Sequence, residues 1–211
     1  MIRLELKTNY KKLILFILIA VFSFVLVCPS NYMSLSYTLT AMFLSLNIGS
    51  IILTKETNNK TIEFLYSKPL SKKKITFAKI ISGIMMLMLF FISTMLINFL
   101  VLKFNNNLNL KLFLEFICKE SLMIAFSYAF SLFISTFCDK NDQALNFSMF
   151  FILIEYIIFS ISKKYSAFKY FTFFSIYEKV TKLSLILSLV LILLLLILTI
   201  VSYKRKEFKN G

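Results

Sequence analysis

Histidine and tryptophan are absent from this 211-residue chain, which has only three glycines, two prolines and three cysteines. Without His, the commonest general base and transition-metal ligand is gone. Gly49, Gly83 and Gly211 are too scattered for a phosphate-cradling loop, and no G-x-x-x-x-G-K-[ST] exists. The chain therefore carries no nucleotide-hydrolysing site of its own and is not expected to be an enzyme. Cys28, Cys118 and Cys138 are odd in number and lack metal-ligand spacing, so they read as membrane-buried thiols. Acidic residues are also scarce, 10 against 24 basic, giving a net charge of +14. The basic residues flank apolar runs, so the excess reads as contact with anionic membrane lipids and not as a nucleic-acid interface.

What the chain has in abundance is apolar bulk. Hydrophobic residues make up 59% of it, with a mean hydropathy of +0.82, against roughly 45–50% in soluble domains. A bilayer core takes about 20 apolar residues as helix, because backbone groups find no water there. Six stretches qualify: Leu13–Cys28, Leu35–Thr54, Ile80–Leu102, Ser121–Cys138, Ala144–Ser162 and Leu183–Tyr203. The expected fold is all-α, a single polytopic membrane domain spanning residues 1–211. Most lysines and arginines fall at the N-terminus, between spans two and three, at Lys140 and in the tail, which favours both termini inside. Lys163, Lys164, Lys169, Lys179 and Lys182 oppose that bias. They are interleaved with Tyr165, Phe168, Tyr170, Phe171, Phe173, Phe174 and Tyr177, the composition of an interfacial belt before span six.

Between spans two and three lies a charged island, Glu56 to Lys79. Asn58 or Asn59 is suited to cap a helix, Ile62, Phe64, Leu65 and Tyr66 follow, and Glu63 sits where the helix dipole favours an anion. Pro69 biases Lys68 away from helical geometry, so this helix should stop near Ser67. Two turns are too short to be stable alone and need a docking surface.

These residues carry a family resemblance. Glu56, Thr61-Ile62-Glu63-Phe64-Leu65, Ser67, Pro69, Ser71, the following basic residues and Lys79 resemble the loop after span two in ABC-2 type transporter permeases, roughly E…G-T-[IL]-E-x-L-x-S-x-P-[IVL]-S-R…K. The likeness extends over the whole chain, from a basic pre-helix through six spans to the Lys204-Arg205-Lys206-Glu207 tail. Lys60 stands where the family usually has Gly, and Lys72 where Arg is common. The outer loop between spans one and two is shorter than in many relatives. The resemblance implies a permease subunit of an ABC exporter in a bacterial cytoplasmic membrane. Glu56, Thr61, Ile62, Glu63, Phe64, Leu65 and Pro69 would then form a cytoplasmic coupling helix that docks on a separate ATP-binding subunit. ATP and Mg would be bound by that partner and no cofactor by this chain. A second permease, identical or similar, would complete the translocation path. Chain size and Phe/Ile/Lys-rich usage resemble small permeases of low-GC Gram-positive bacteria, including those giving self-immunity to antimicrobial peptides. That implies a hydrophobic or amphipathic cargo, such as an antimicrobial peptide or drug.

Within the spans, Glu155 is the polar residue that stands out. A mid-bilayer carboxylate costs about 3 kcal/mol, while the eleven Leu, Ile and Phe residues between Leu145 and Ile161 return on the order of 5. The span inserts, with Glu155 expected to face other helices or a wet translocation path. Ser127, Ser131 and Ser135 recur every fourth residue, a small-residue stripe suited to helix packing, within the chain or between permeases. Asn47, Gly49 and Ser50, and Ser93, Thr94 and Asn98, are weaker candidates of the same kind. Two other functions remain open from the residues alone. An intramembrane enzyme would need a second carboxylate, a His or a nucleophile with its base beside Glu155. A non-transporting scaffold or bacteriocin-immunity protein would have no ATP-binding partner.

Overall fold

A chain this apolar satisfies its backbone by helix formation, and every element among the described residues is an α-helix. The computed structural model describes residues 14–21, 35–58, 72–105, 108–162, 164–165 and 182–205. Residues 14–21 (α1) are helical, followed by α2 (Leu35–Asn58), α3 (Lys72–Phe104), α4 (Leu110–Ser135), α5 (Asn141–Ser162) and α6 (Lys182–Arg205). Helices α2 to α6 are each long and apolar enough to cross a membrane. The expected first span is described only over 14–21, and the lysine-aromatic belt before α6 lies almost wholly outside the described residues.

The helices overrun the apolar stretches that suggest them. α2 continues through Lys55 and Glu56 to Asn58, so the stretch after Thr54 is helix and not turn. α3 starts at Lys72, eight residues before its apolar run. α4 starts eleven residues before Ser121 and stops at Ser135. Charge interrupts hydropathy, but Lys and Glu are good helix formers and the hydrogen-bond ladder runs straight through them. At 1.5 Å per residue the 33-residue α3 is about 50 Å long, against about 30 Å of hydrocarbon core.

The start of α4 is set by its cap. Asn109 is extended, and its side-chain oxygen accepts from the backbone N–H groups of Lys111 (3.1 Å) and Leu112 (3.4 Å). Replacing Asn109 by Ala should cost about 1 kcal/mol, seen as a lower unfolding temperature in detergent with α-helix content unchanged.

Burial follows polarity in reverse of a soluble protein. The spans of α2 and α4 are the least apolar and the most buried, 72% and 67% over their most apolar 18 residues, whereas the very apolar α6 is only 22% buried over its own. Outside the bundle the solvent is lipid, so small and polar residues turn inward and bulky aliphatics turn outward. α2 and α4 form the central pair, with α5 against both, α6 against α4, and α3 closing the bundle beside α2, α4 and α6. One apolar cluster joins Ala20 of α1 to Tyr37, Leu44, Ile52, Phe90, Phe116 and Tyr128. A second seats Leu122, Phe126 and Phe130 of α4 on Ile192 and Leu195 of α6. A third joins Met42 and Leu46 to Met123 and Ile152.

Candidate functional site

At the end where α2 finishes and α3 begins, three helices are tied together by buried polar groups. The Lys79 ammonium, on a residue 1% exposed, donates to the Ile52 carbonyl at 3.1 Å. Thr54, equally buried, bonds the Ser50 carbonyl and donates to Asn141 Oδ1 at 2.5 Å, linking α2 to the first turn of α5. Glu56 falls in the last turn of α2. Residues 59–71, with Thr61, Ile62, Glu63, Phe64, Leu65 and Pro69, lie outside the described residues. The junction is therefore the frame from which that segment leaves and to which it returns. Sequence reasoning assigns Lys79 to a solvated loop, yet it lies inside the bundle at the base of α3.

Midway along the bundle, the serine stripe of α4 is fully buried inside the single chain. Ser131 donates to the Leu46 carbonyl at 2.8 Å and lies 3.4 Å from the Ser148 hydroxyl, so one small residue joins α4 to α2 and α5. Ser127 and Ser135 turn their hydroxyls to their own helix, on Met123 and Leu132 carbonyls. Gly49 faces Ser131 so closely that a Cβ there would stand 2.8 Å from the serine Cβ. These contacts place the stripe between helices of one chain, an intramolecular seam. One turn along, Tyr128 crosses to α3 and donates to the Ile80 carbonyl at 2.9 Å. Beside it, α3, α4 and α6 line a partly open apolar pocket of about 380 Å³, with residues including Leu87, Phe91, Ile124 and Ile192.

Toward the end where α3 and α4 join, the bundle holds a second polar cluster. Thr38 donates to Glu120 Oε1 at 2.6 Å, and the Tyr37 and Thr94 hydroxyls are 2.8 Å apart. The Tyr37 ring packs on Phe116 at 5.7 Å. Glu120 is 0% exposed, whereas Glu155, about two thirds of the way along α5, is only half-buried. Sequence reasoning singled out Glu155 and missed Glu120, because Lys119-Glu120 reads as the charged edge of an apolar run. The signal that finds it is the Asn109 cap, which puts the helix start a full three turns earlier. No group of His, Cys, Asp and Glu that could hold a metal exists among the described residues.

With this geometry in view, the comparisons with known proteins bear on the same helices. The family model described as ABC-2 family transporter protein matches residues 8–208, nearly the whole chain. The chain belongs to the ABC-2 transporter family. No curated protein and no solved structure matches it. An ABC-2 permease is a multi-pass membrane transport subunit, in keeping with five long apolar helices and buried polar seams. The ABC-2 family normally works with ATP-binding subunits, so the stretch between α2 and α3, flanked by Thr54 and Lys79, becomes the segment of interest.

Proposed function

We propose that the chain is the permease subunit of an ATP-driven exporter in a bacterial cytoplasmic membrane. Two copies, or one copy and a similar permease, enclose the translocation path, and separate ATP-binding subunits dock on the segment from Glu56 to Pro69. The observation that carries this reading is the three-helix junction at the root of that segment. Lys79 fixes α3 to α2, and Thr54 fixes α2 to α5, so a push on the segment moves three helices together. The cargo is hydrophobic or amphipathic, a class supported by the apolar cavity between α3, α4 and α6.

The test is made on the permease co-expressed with candidate ATP-binding subunits. Substituting Glu63→Ala and Phe64→Ala together should abolish stimulation of ATP hydrolysis by the permease. The amount inserted in the membrane should stay unchanged. Full stimulation in the double variant would overturn the docking site. Failure of any ATP-binding subunit to co-purify with the unaltered chain would overturn the transporter reading itself.

A further inference from the structure

Helix α3 meets α4 at two levels. At the lower one, Gly83 faces Tyr128 so closely that a Cβ has no room, and the Tyr128 hydroxyl donates to the Ile80 carbonyl at 2.9 Å. At the other, the Phe99 and Phe113 rings lie 5.7 Å apart. Between these contacts lies the apolar pocket, with α6 as its third wall. Pinned at both levels, α3 does not settle onto α4 to close it, as packed interiors relax only partly around a void.

The walls run from residue 84 to 91 on α3, 121 to 128 on α4 and 189 to 196 on α6. At 1.5 Å per residue that is about 10 Å along each helix. All three stretches fall mid-helix, at the level of the hydrocarbon core. Leu87, Ile124 and Ile192 form a floor that is 5–7% exposed, whereas Ile84, Met88 and Leu189 form a rim between 37% and 56% exposed. The pocket therefore opens sideways onto the lipid-facing surface.

Its chemistry and width select the occupant. Of the lining side chains only Ser121 and Tyr128 are polar, and their hydroxyls already donate to the Cys118 and Ile80 carbonyls, both at 2.9 Å. Water needs several polar partners and stays out of an apolar cavity. A helix from a second copy does not fit. About 380 Å³ over about 10 Å of length leaves a slot roughly 6 Å wide, against about 10–12 Å for a helix with its side chains. The same volume takes on the order of a dozen water-sized units of about 30 Å³ each, the bulk of one alkyl chain.

We propose that this pocket holds one acyl chain of a bilayer lipid, inserted from the side as a wedge between α3, α4 and α6. The headgroup stays at the membrane surface, because no charged residue lines the pocket. This resident lipid does not depend on the exporter reading, and cargo reaches the same space only by displacing it.

The test uses the full-length chain alone, reconstituted in phosphatidylglycerol–phosphatidylcholine vesicles with a trace of phosphatidylcholine carrying a mid-chain diazirine. After irradiation, mass spectrometry of the peptides should find label on Leu87, Ile124 or Ile192, which surface lipid does not reach. Leu194, 48% exposed and outside the pocket, reports the surrounding lipid. Ala125→Phe fills the slot from the α4 wall and should abolish label on the floor while leaving Leu194 labelled. Ser121→Phe, on an exposed part of the same wall, should do the same and serves where Ala125→Phe does not fold. A floor without label beside a labelled Leu194 would overturn the site. So would floor label that persists in the filled variants. Floor label from a diazirine-bearing amphipathic peptide, with none from the lipid, would also overturn it and give the pocket to cargo.

Discussion

Gly83→Leu is expected to leave no folded permease in the membrane. Gly83 lies where α3 meets two other helices. A Cβ placed there would run into Oη and Cζ of Tyr128 and into Cδ1 of Ile52. Neither neighbour has room to give. The Tyr128 hydroxyl is held on the Ile80 carbonyl at 2.9 Å, and both Tyr128 and Ile52 lie in the buried cluster. Overpacking a close-fitted site costs about 1–3 kcal/mol for small additions, so Gly83→Ala should fold with a depressed unfolding temperature. The larger Leu should force α3 away from α4 and expose the Ile80 carbonyl. Detergent-extracted protein, measured by fluorescence-detected gel filtration, should show a single peak for Gly83→Ala and aggregate for Gly83→Leu. A double-mutant cycle supplies the check. In a Tyr128→Ala background the cost of Gly83→Ala should shrink, since the obstacle is gone. Equal cost in both backgrounds would mean that the close approach is not the cause.

Lys79→Glu should be nearly as damaging, and Lys79→Met far milder. The ammonium lies against a carbonyl in the last two turns of α2, where the helix dipole presents partial negative charge. A carboxylate in the same place faces that carbonyl with no donor of its own. Leaving a buried charge opposed costs about 3–5 kcal/mol. Met keeps the bulk and removes the charge. The Ile52 carbonyl, inside the helical ladder, loses only one of its bonds, a cost of about 1 kcal/mol. Thermal unfolding in detergent should therefore rank wild type, Met and Glu in falling order. Coupling adds a second readout. If Lys79 holds the root of the docking segment, Lys79→Met should lower permease-stimulated ATP hydrolysis by more than its small stability loss explains.

Five of the six expected spans correspond to long helices, because runs of Leu, Ile and Phe leave the backbone no alternative in lipid. The helix ends were less legible. Hydropathy treats a charge as a boundary, whereas the backbone stops where its donors and acceptors find other partners, as Asn109 shows at α4. The same habit sent Lys79 to a loop and Glu120 to an edge, although both are buried in the bundle. Buried charges are rare, so composition alone favours solvent for each, and only helix register reveals which face they share with neighbours. The serine spacing on α4 suggested helix packing, within the chain or between permeases, and the three serines are buried in the single chain. Their partner did not follow from spacing, because the Leu46 carbonyl and Gly49 lie about 80 residues away in sequence. The expected coupling helix falls on residues 59–71, outside the described residues.

The central pairing of α2 with α4 also sets an order of assembly. α2 leaves the ribosome before α3, and α4 comes last of the three. Until α4 arrives, Thr38 has no Glu120 and the Leu46 carbonyl has no Ser131. In a half-made chain the inward face of α2 therefore lacks the partners that come from α4, two helices downstream.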